Sequence, residues 1–160
     1  MHQRAQEFRD RVADTYGISV EVQELPSGTK TAQDAADAIG CDLEQIVKSM
    51  AMSVGDDIIL VLTSGPNRVD EARLASLLDV EESVVSPGDP NQVKDHLGWS
   101  IGGVPPIAHD ESVDTYLDAD LLEYDVVWAG AGTPKAVFSI DTEVLQQLTE
   151  AEVVDVFTTG

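Results

Sequence analysis

The sequence holds one cysteine, Cys41, and three histidines, His2, His96 and His109, in 160 residues. A single thiol excludes an intrachain disulfide and a cysteine-rich metal site. The histidines fall in no HExxH or related ligand spacing, so no metal is expected. No apolar run approaches the ~20 residues that cross a bilayer. Residues 1–11 are polar and charged and lack the apolar core of a signal peptide. These absences predict a soluble, cytoplasmic protein with no membrane partner. A GxSxG nucleophile elbow and a Walker loop are also missing. Gly130-Ala131-Gly132 follows an apolar run, as a dinucleotide fingerprint would, but the third glycine and the helix behind it are lacking. A hairpin loop lining a pocket fits that segment better, and no cofactor is expected.

Positive charge is scarce as well. Only Lys30, Lys48, Lys94 and Lys135 are lysines, and 9 basic residues face 30 acidic ones for a formal charge of −21. The carboxylates are spread along ordinary helix and strand patterns rather than gathered in a tail. Such a surface repels itself, and at about 1 M salt the Debye length of ~3 Å removes most of that repulsion. A high-salt cytoplasm is therefore expected. There is no basic face for DNA, and a polyanionic partner would need a local cationic pocket.

What is present reads as one domain over residues 1–160, with 42% hydrophobic residues. Phe8 and Val12 place an amphipathic helix over residues 3–16, stopped by Gly17. Ile18, Val20 and Val22 alternate as a strand ending at the turn Leu25-Pro26-Ser27-Gly28. Thr31 caps a helix with Ala32, Ala35, Ala36 and Ile39 on one face and Gly40 behind it, and Asp42 with Gln45 starts a short turn. The runs 46–54 and 58–63, joined by Gly55-Asp56-Asp57, form an interior hairpin. Asp70 caps a helix bearing Leu74, Leu77 and Leu78; Val84-Val85 is a short strand; residues 90–97 form a short helix. Residues 118–123 make one helical turn that feeds a strand at 126–129. A strand at 136–140 returns, Asp141 caps a last helix through Leu148, and residues 153–157 close the chain as a strand. Hairpin-like connections with irregular helices favour α+β over alternating βαβ.

Three places could hold chemistry. Lys48 interrupts an apolar strand and shares a face with Ile46 and Met50. It is either an edge lysine reaching for solvent or a cation that meets an anion or carbonyl. Gly102-Gly103-Val104-Pro105-Pro106 is either a plain turn or a stiff bend whose N–H groups face an oxyanion. Cys41, beside a short helix start, is either an activated or a buried structural thiol. His109 is a loop histidine near the bend.

The segments Thr31-Ala32-x-x-Ala35-Ala36-x-x-Ile39-Gly40 and Ile46-Val47-Lys48-Ser49 resemble the YbaK/prolyl-tRNA synthetase-associated editing domain. So do Arg68-Val69-Asp70 before its leucine-bearing helix, the bend at 102–106 with His109 behind it, and Ala129-Gly130-Ala131-Gly132-Thr133-Pro134-x-Ala136-Val137-Phe138. The order is right from about residue 18 to 150.

The resemblance implies a curled, mixed, mainly antiparallel β-sheet, barrel-like and flanked by helices. It implies hydrolysis of the ester of mischarged aminoacyl-tRNA, of the Cys-tRNA(Pro) or Ala-tRNA(Pro) type, with the terminal ribose hydroxyl helping to activate water. By the same resemblance Lys48, Gly102 and Gly103 form the catalytic set, the Gly103 amide stabilising the oxyanion. Thr31, Ser49, Val104, Pro105 and His109 bind substrate, as do Gly130, Gly132, Thr133 and Lys135. The partners implied are the 3′ aminoacyl-adenosine end of tRNA and prolyl-tRNA synthetase. Where many relatives carry basic residues in the late hairpin, this chain has Thr133-Pro134 before its one Lys135. The alternative is a non-catalytic module that holds an aminoacyl or nucleotide ligand for a synthetase.

Overall fold

A computed structural model describes residues 2–159. Helix α1 (Gln3–Tyr16) precedes β1 (Val22–Glu24), α2 (Ala32–Ile39), β2 (Ile46–Val54), β3 (Asp57–Ser64) and β4 (Asn67–Val69). Next come α3 (Glu71–Leu78), β5 (Val85–Pro87), α4 (Pro90–Leu97) and β6 (Thr115–Asp118). The chain ends with β7 (Val126–Gly130), β8 (Ala136–Asp141), α5 (Thr142–Thr149), β9 (Glu152–Val154) and β10 (Phe157–Thr159).

The architecture is α+β, as expected. The main sheet runs β1-β8-β7-β2-β3-β6-β9, with β5 also pairing β2. Pairing is mainly antiparallel, but β2–β7, β3–β6 and β6–β9 are parallel. The path stops at β1 and β9, so the sheet does not close into a barrel.

Local chemistry explains most boundaries. Thr31 Oγ1 accepts from the Asp34 amide at 3.0 Å while Asp34 accepts from the Thr31 and Lys30 amides, which fixes the start of α2. Gly40 ends it in the left-handed region at φ 86°. The β2–β3 hairpin pairs Val54 with Asp57 and continues to Val47 with Ser64. One core cluster joins Phe8 and Val12 of α1 to Leu60, Leu62, Phe138, Trp99 and Leu145; the Phe8 and Phe138 rings lie 4.8 Å apart. A second joins Met52, Ile59 and Val61 to Leu74 of α3 and to Val156 and Phe157. A small third cluster seats Ala35 and Ala36 on Ile46.

Several expectations need correction. The first strand is Val22–Glu24 and does not begin at Ile18: Val20 is buried and Ile18 packs on the core, so the alternation there reflects side-chain burial without a ladder. Val84 belongs to a 3-10 turn and the strand begins at Val85. The closing strand is two. β9 lies parallel to β6, whereas β10 pairs antiparallel with β4, because Asp155-Val156 turns the chain so that Val156 and Phe157 enter the second cluster. Asp141 precedes α5 but makes no capping bond; Thr142 holds the start instead, its hydroxyl donating to the Tyr124 carbonyl at 2.6 Å.

Candidate active site

The sheet leaves a notch in the middle of β2. On one side β7 pairs only with Ile46 and Val47, and β5 takes up pairing only from Met52. Residues 48–51 therefore have β3 on one edge and no strand on the other. A cavity of about 460 Å³ opens there, lined by Lys48, Ser49 and Met50, by Thr31 before α2 and Ala35 within it, by Gly102 and Val104, and by Gly130, Thr133, Ala136 and Val137. Lys30 also lines it, but no aspartate or glutamate does. In a chain with 30 acidic residues, that is a local reversal of charge.

Lys48 is half-buried, and its Nζ donates to the main-chain carbonyl of Asn67. Burial pushes its pKa below the ordinary lysine value, the nearby Arg68 charge pushes the same way, and Asp118 opposes both. Asn67 is itself clamped: its Nδ2 donates to Asp118 Oδ2 at 2.8 Å and to Asp120 Oδ2 at 2.7 Å. Beside the lysine, the Ser49 hydroxyl oxygen is buried and has no hydrogen-bond partner among the described residues. An oxygen in that state suits a ligand atom from the cavity.

The bend contributes differently from expectation. Gly102 lines the cavity at φ 92°, a conformation natural to glycine. The Gly103 amide, expected to face an oxyanion, donates to the Ser100 carbonyl at 3.0 Å and closes a turn. Gly103 is needed for space: a Cβ there would lie 2.9 Å from Thr133 Cα. The bend thus packs on the late hairpin, and Val104 rather than Gly103 reaches the cavity wall. Gly132 is also a packing glycine, since a Cβ would meet the Trp99 ring at 2.6 Å.

Thr31, Ser49, Gly130 and Thr133 line the same cavity as Lys48. Gly132 and three other residues do not. Lys135 is exposed and off the wall; its carbonyl receives the Leu25 amide at 2.7 Å. Pro105 is buried and its carbonyl meets His109 Nε2 at 2.7 Å. His109 itself lines a separate cavity of about 490 Å³ with Tyr16, Glu111, Asp114 and Glu150. Burial pushes its pKa down, which favours the neutral ring with Nε2–H donated to Pro105. The Cys41 thiol is pushed up by burial, then by Asp42, which disfavours the reactive thiolate. Among the described residues no three His, Cys, Asp or Glu side chains come together as a metal site, and no helix is long and apolar enough to cross a membrane.

Lys30, Arg68, Asn67 and Asp118 were not expected at the site. Arg68 stands in the Arg68-Val69-Asp70 segment, whose place in the resemblance was the available signal.

The chain is 37% identical to a protein provisionally described as a trans-editing enzyme for prolyl tRNA synthetase, with TM-score 0.90 over 100% of this chain and 99% of that one. It is 29% identical to the uncharacterized protein YwhH of Bacillus subtilis (strain 168), covering 83% of each. It is also 29% identical over 143 residues to the proline–tRNA ligase of Lactococcus lactis subsp. cremoris (strain SK11), of which it spans only 23%. The model of the aminoacyl-tRNA editing domain matches residues 26–148, a stretch that contains the notch in β2, the bend and the late hairpin. A lysine beside an acid-free cavity, framed by those segments in that order, is set in a chain that belongs to the aminoacyl-tRNA editing domain family.

Proposed function

We propose that the protein is a deacylase that hydrolyses the ester of misacylated tRNA, with a small amino acid of the cysteine or alanine class on tRNA(Pro) as substrate. The observation that carries this reading is the acid-free cavity holding Lys48 in an otherwise anionic molecule. The 3′ end of tRNA is itself anionic, and Lys48 with Lys30 and the neighbouring Arg68 supplies the local attraction that the rest of the surface refuses. Lys48 takes the phosphate or ester end. Ser49 and Thr133 contact the adenosine or the aminoacyl group. Ala35, Ile46, Ala136 and Val137 present a small apolar wall that suits a short side chain.

Hydrolysis needs water to attack the ester carbonyl and an amide dipole to meet the charge that develops on its oxygen. With the Gly103 amide engaged by Ser100, the donor in this reading comes from Gly102 or Val104. The terminal ribose hydroxyl helps to activate the water. The products are the free amino acid and a tRNA with its terminal hydroxyl restored.

The test is release of amino acid from Cys-tRNA(Pro), Ala-tRNA(Pro) and Pro-tRNA(Pro) in molar potassium chloride by wild type and Lys48→Ala. Rapid release from one of the first two, lost in the variant, supports the reading. No release from any of the three leaves a ligand-holding module.

A further inference from the structure

We propose that Asp118, acting through Asn67, is a positioning residue for Lys48: it holds the carbonyl that seats the ammonium group and places a fixed anion one residue away. The inference rests on the proposed function only for its kinetic consequence; the placement of Lys48 is separately measurable.

The chain of contacts is continuous. Asp118 is 3% exposed, yet none of the ion pairs among the described residues includes it. Its Oδ2 accepts from the Ser64 amide at 3.0 Å and from Asn67 Nδ2 at 2.8 Å, and its Oδ1 accepts from the Asp120 amide at 3.0 Å. Asn67, 5% exposed, gives its side-chain amide to Asp118 and Asp120 and its main-chain carbonyl to Lys48. The backbone brings these groups together economically. Lys48 pairs with Thr63 in the β2–β3 register, and the turn at Gly65-Pro66 returns Asn67 beside that pair.

A buried carboxylate with three donors needs no cation to be stable. What the indirect arrangement gives Lys48 is more specific. A direct Asp–Lys pair would spend the positive charge inside the protein. A carbonyl takes one of the three ammonium donors and leaves two for a substrate. The groups acting on the ammonium are Arg68 from β4, which opposes its charge, and Asp118 at the end of β6, which supports it; Asp120 reaches the assembly through Asn67. Removing the Asp118 charge therefore leaves burial and Arg68 unopposed, and Lys48 should lose its proton at lower pH.

A purely structural Asp118, capping the 3-10 turn at Ala119–Glu123, makes a different prediction. Losing a cap lowers stability but does not tie activity to the protonation of a lysine. The experiment uses the full chain in 1 M potassium chloride with 13Cε-labelled lysine, whose four signals are readily assigned. Lys48 is titrated by NMR in wild type, Asp118→Asn and Asn67→Ala, and kcat/KM for deacylation is followed against pH. The expected result for Asp118→Asn is a Lys48 midpoint lower by at least about half a pH unit. With it comes a loss of kcat/KM at pH above that midpoint, about threefold for a half-unit shift, that is recovered as pH falls and the ammonium re-forms. Asn67→Ala, which keeps the main-chain carbonyl but frees it, should move both readouts the same way by less. It also serves as the test if Asp118→Asn does not fold. An unchanged midpoint in the folded variants, or a rate loss uniform across pH, overturns the proposal. If the wild type releases no amino acid, the proposed function fails, and the titration alone still decides the role of Asp118.

Discussion

A side chain on Gly103 would sit 2.9 Å from the Cα of Thr133, so bend and late hairpin meet backbone to backbone at this point. Neither partner of that contact is a flexible side chain able to move aside. Gly103→Ala should therefore part the two segments, lowering stability by about 1–3 kcal/mol and widening the cavity. Gly102→Ala meets open space but must hold φ 92°, which costs about 1–2 kcal/mol. Urea denaturation with parallel deacylation assays separates them: Gly103→Ala should lose both, Gly102→Ala chiefly stability. A fully active and stable Gly103→Ala would show that the contact has no bearing on the site.

Lys48→Met addresses the tension between stability and function. The folded-state pKa of Lys48 lies below its unfolded value, so the folded protein binds fewer protons and the charged ammonium costs stability at neutral pH. That cost is relieved only as pH rises past the lowered pKa. Methionine fills the same stem without charge. The variant should melt at or above the wild-type temperature while deacylation falls by about a hundredfold or more. A clear drop in melting temperature at pH 7 would mean that the Asn67 contact stabilises the fold more than burial costs.

His109 should set a limit to stability in acid. Its folded pKa is lowered from 6.5, chiefly by burial, so the unfolded chain binds a proton first. The contribution is intact above pH 6.5 and is lost as pH falls from there through the lowered folded value. His109→Gln can still donate to the Pro105 carbonyl but does not titrate. Melting curves between pH 7.5 and 5 should decline less steeply for the variant, with deacylation at pH 7.5 little changed, because the ring faces another cavity. Parallel decline of both proteins would remove His109 as the titrating group.

Much of this molecule was readable where the cause is local. The Thr31 cap, the glycine ends of α1, α2 and α4, and the long β2–β3 hairpin follow from residues within a few positions of each other. Lys48 stood out because a lysine on an apolar strand is conspicuous. What escaped was set by distant partners. β4 and β10 are three residues each and lie some ninety positions apart, and three-residue strands have no period to detect. Asn67 and Asp118 are 51 residues apart and look like an ordinary turn residue and cap. His109 was misplaced because closeness along the chain to the bend says nothing of direction. His109 lines the other cavity, and Ala108 before it lies in the left-handed region at φ 67°. The Gly103 amide was misassigned for a similar reason: a free N–H in sequence terms is an occupied one once Ser100 curls beneath it.

Charge makes a prediction for the whole surface. With a formal −21, self-repulsion weakens as salt screens it. The melting temperature should climb between 0.1 and about 1 M potassium chloride and then level off, since the Debye length by then is ~3 Å. A flat profile from 0.1 to 3 M would show that the carboxylates are too dispersed to destabilise the fold.

The notch in β2 exists because two neighbouring ladders stop short, β7 at Val47 and β5 at Met52. Its span is a matter of pairing length rather than of side-chain bulk. One further bridge at either end would zip the recess narrower while every wall residue kept its identity. Discrimination among aminoacyl groups could then drift within such proteins through insertions in flanking loops, leaving no mark at the positions usually compared.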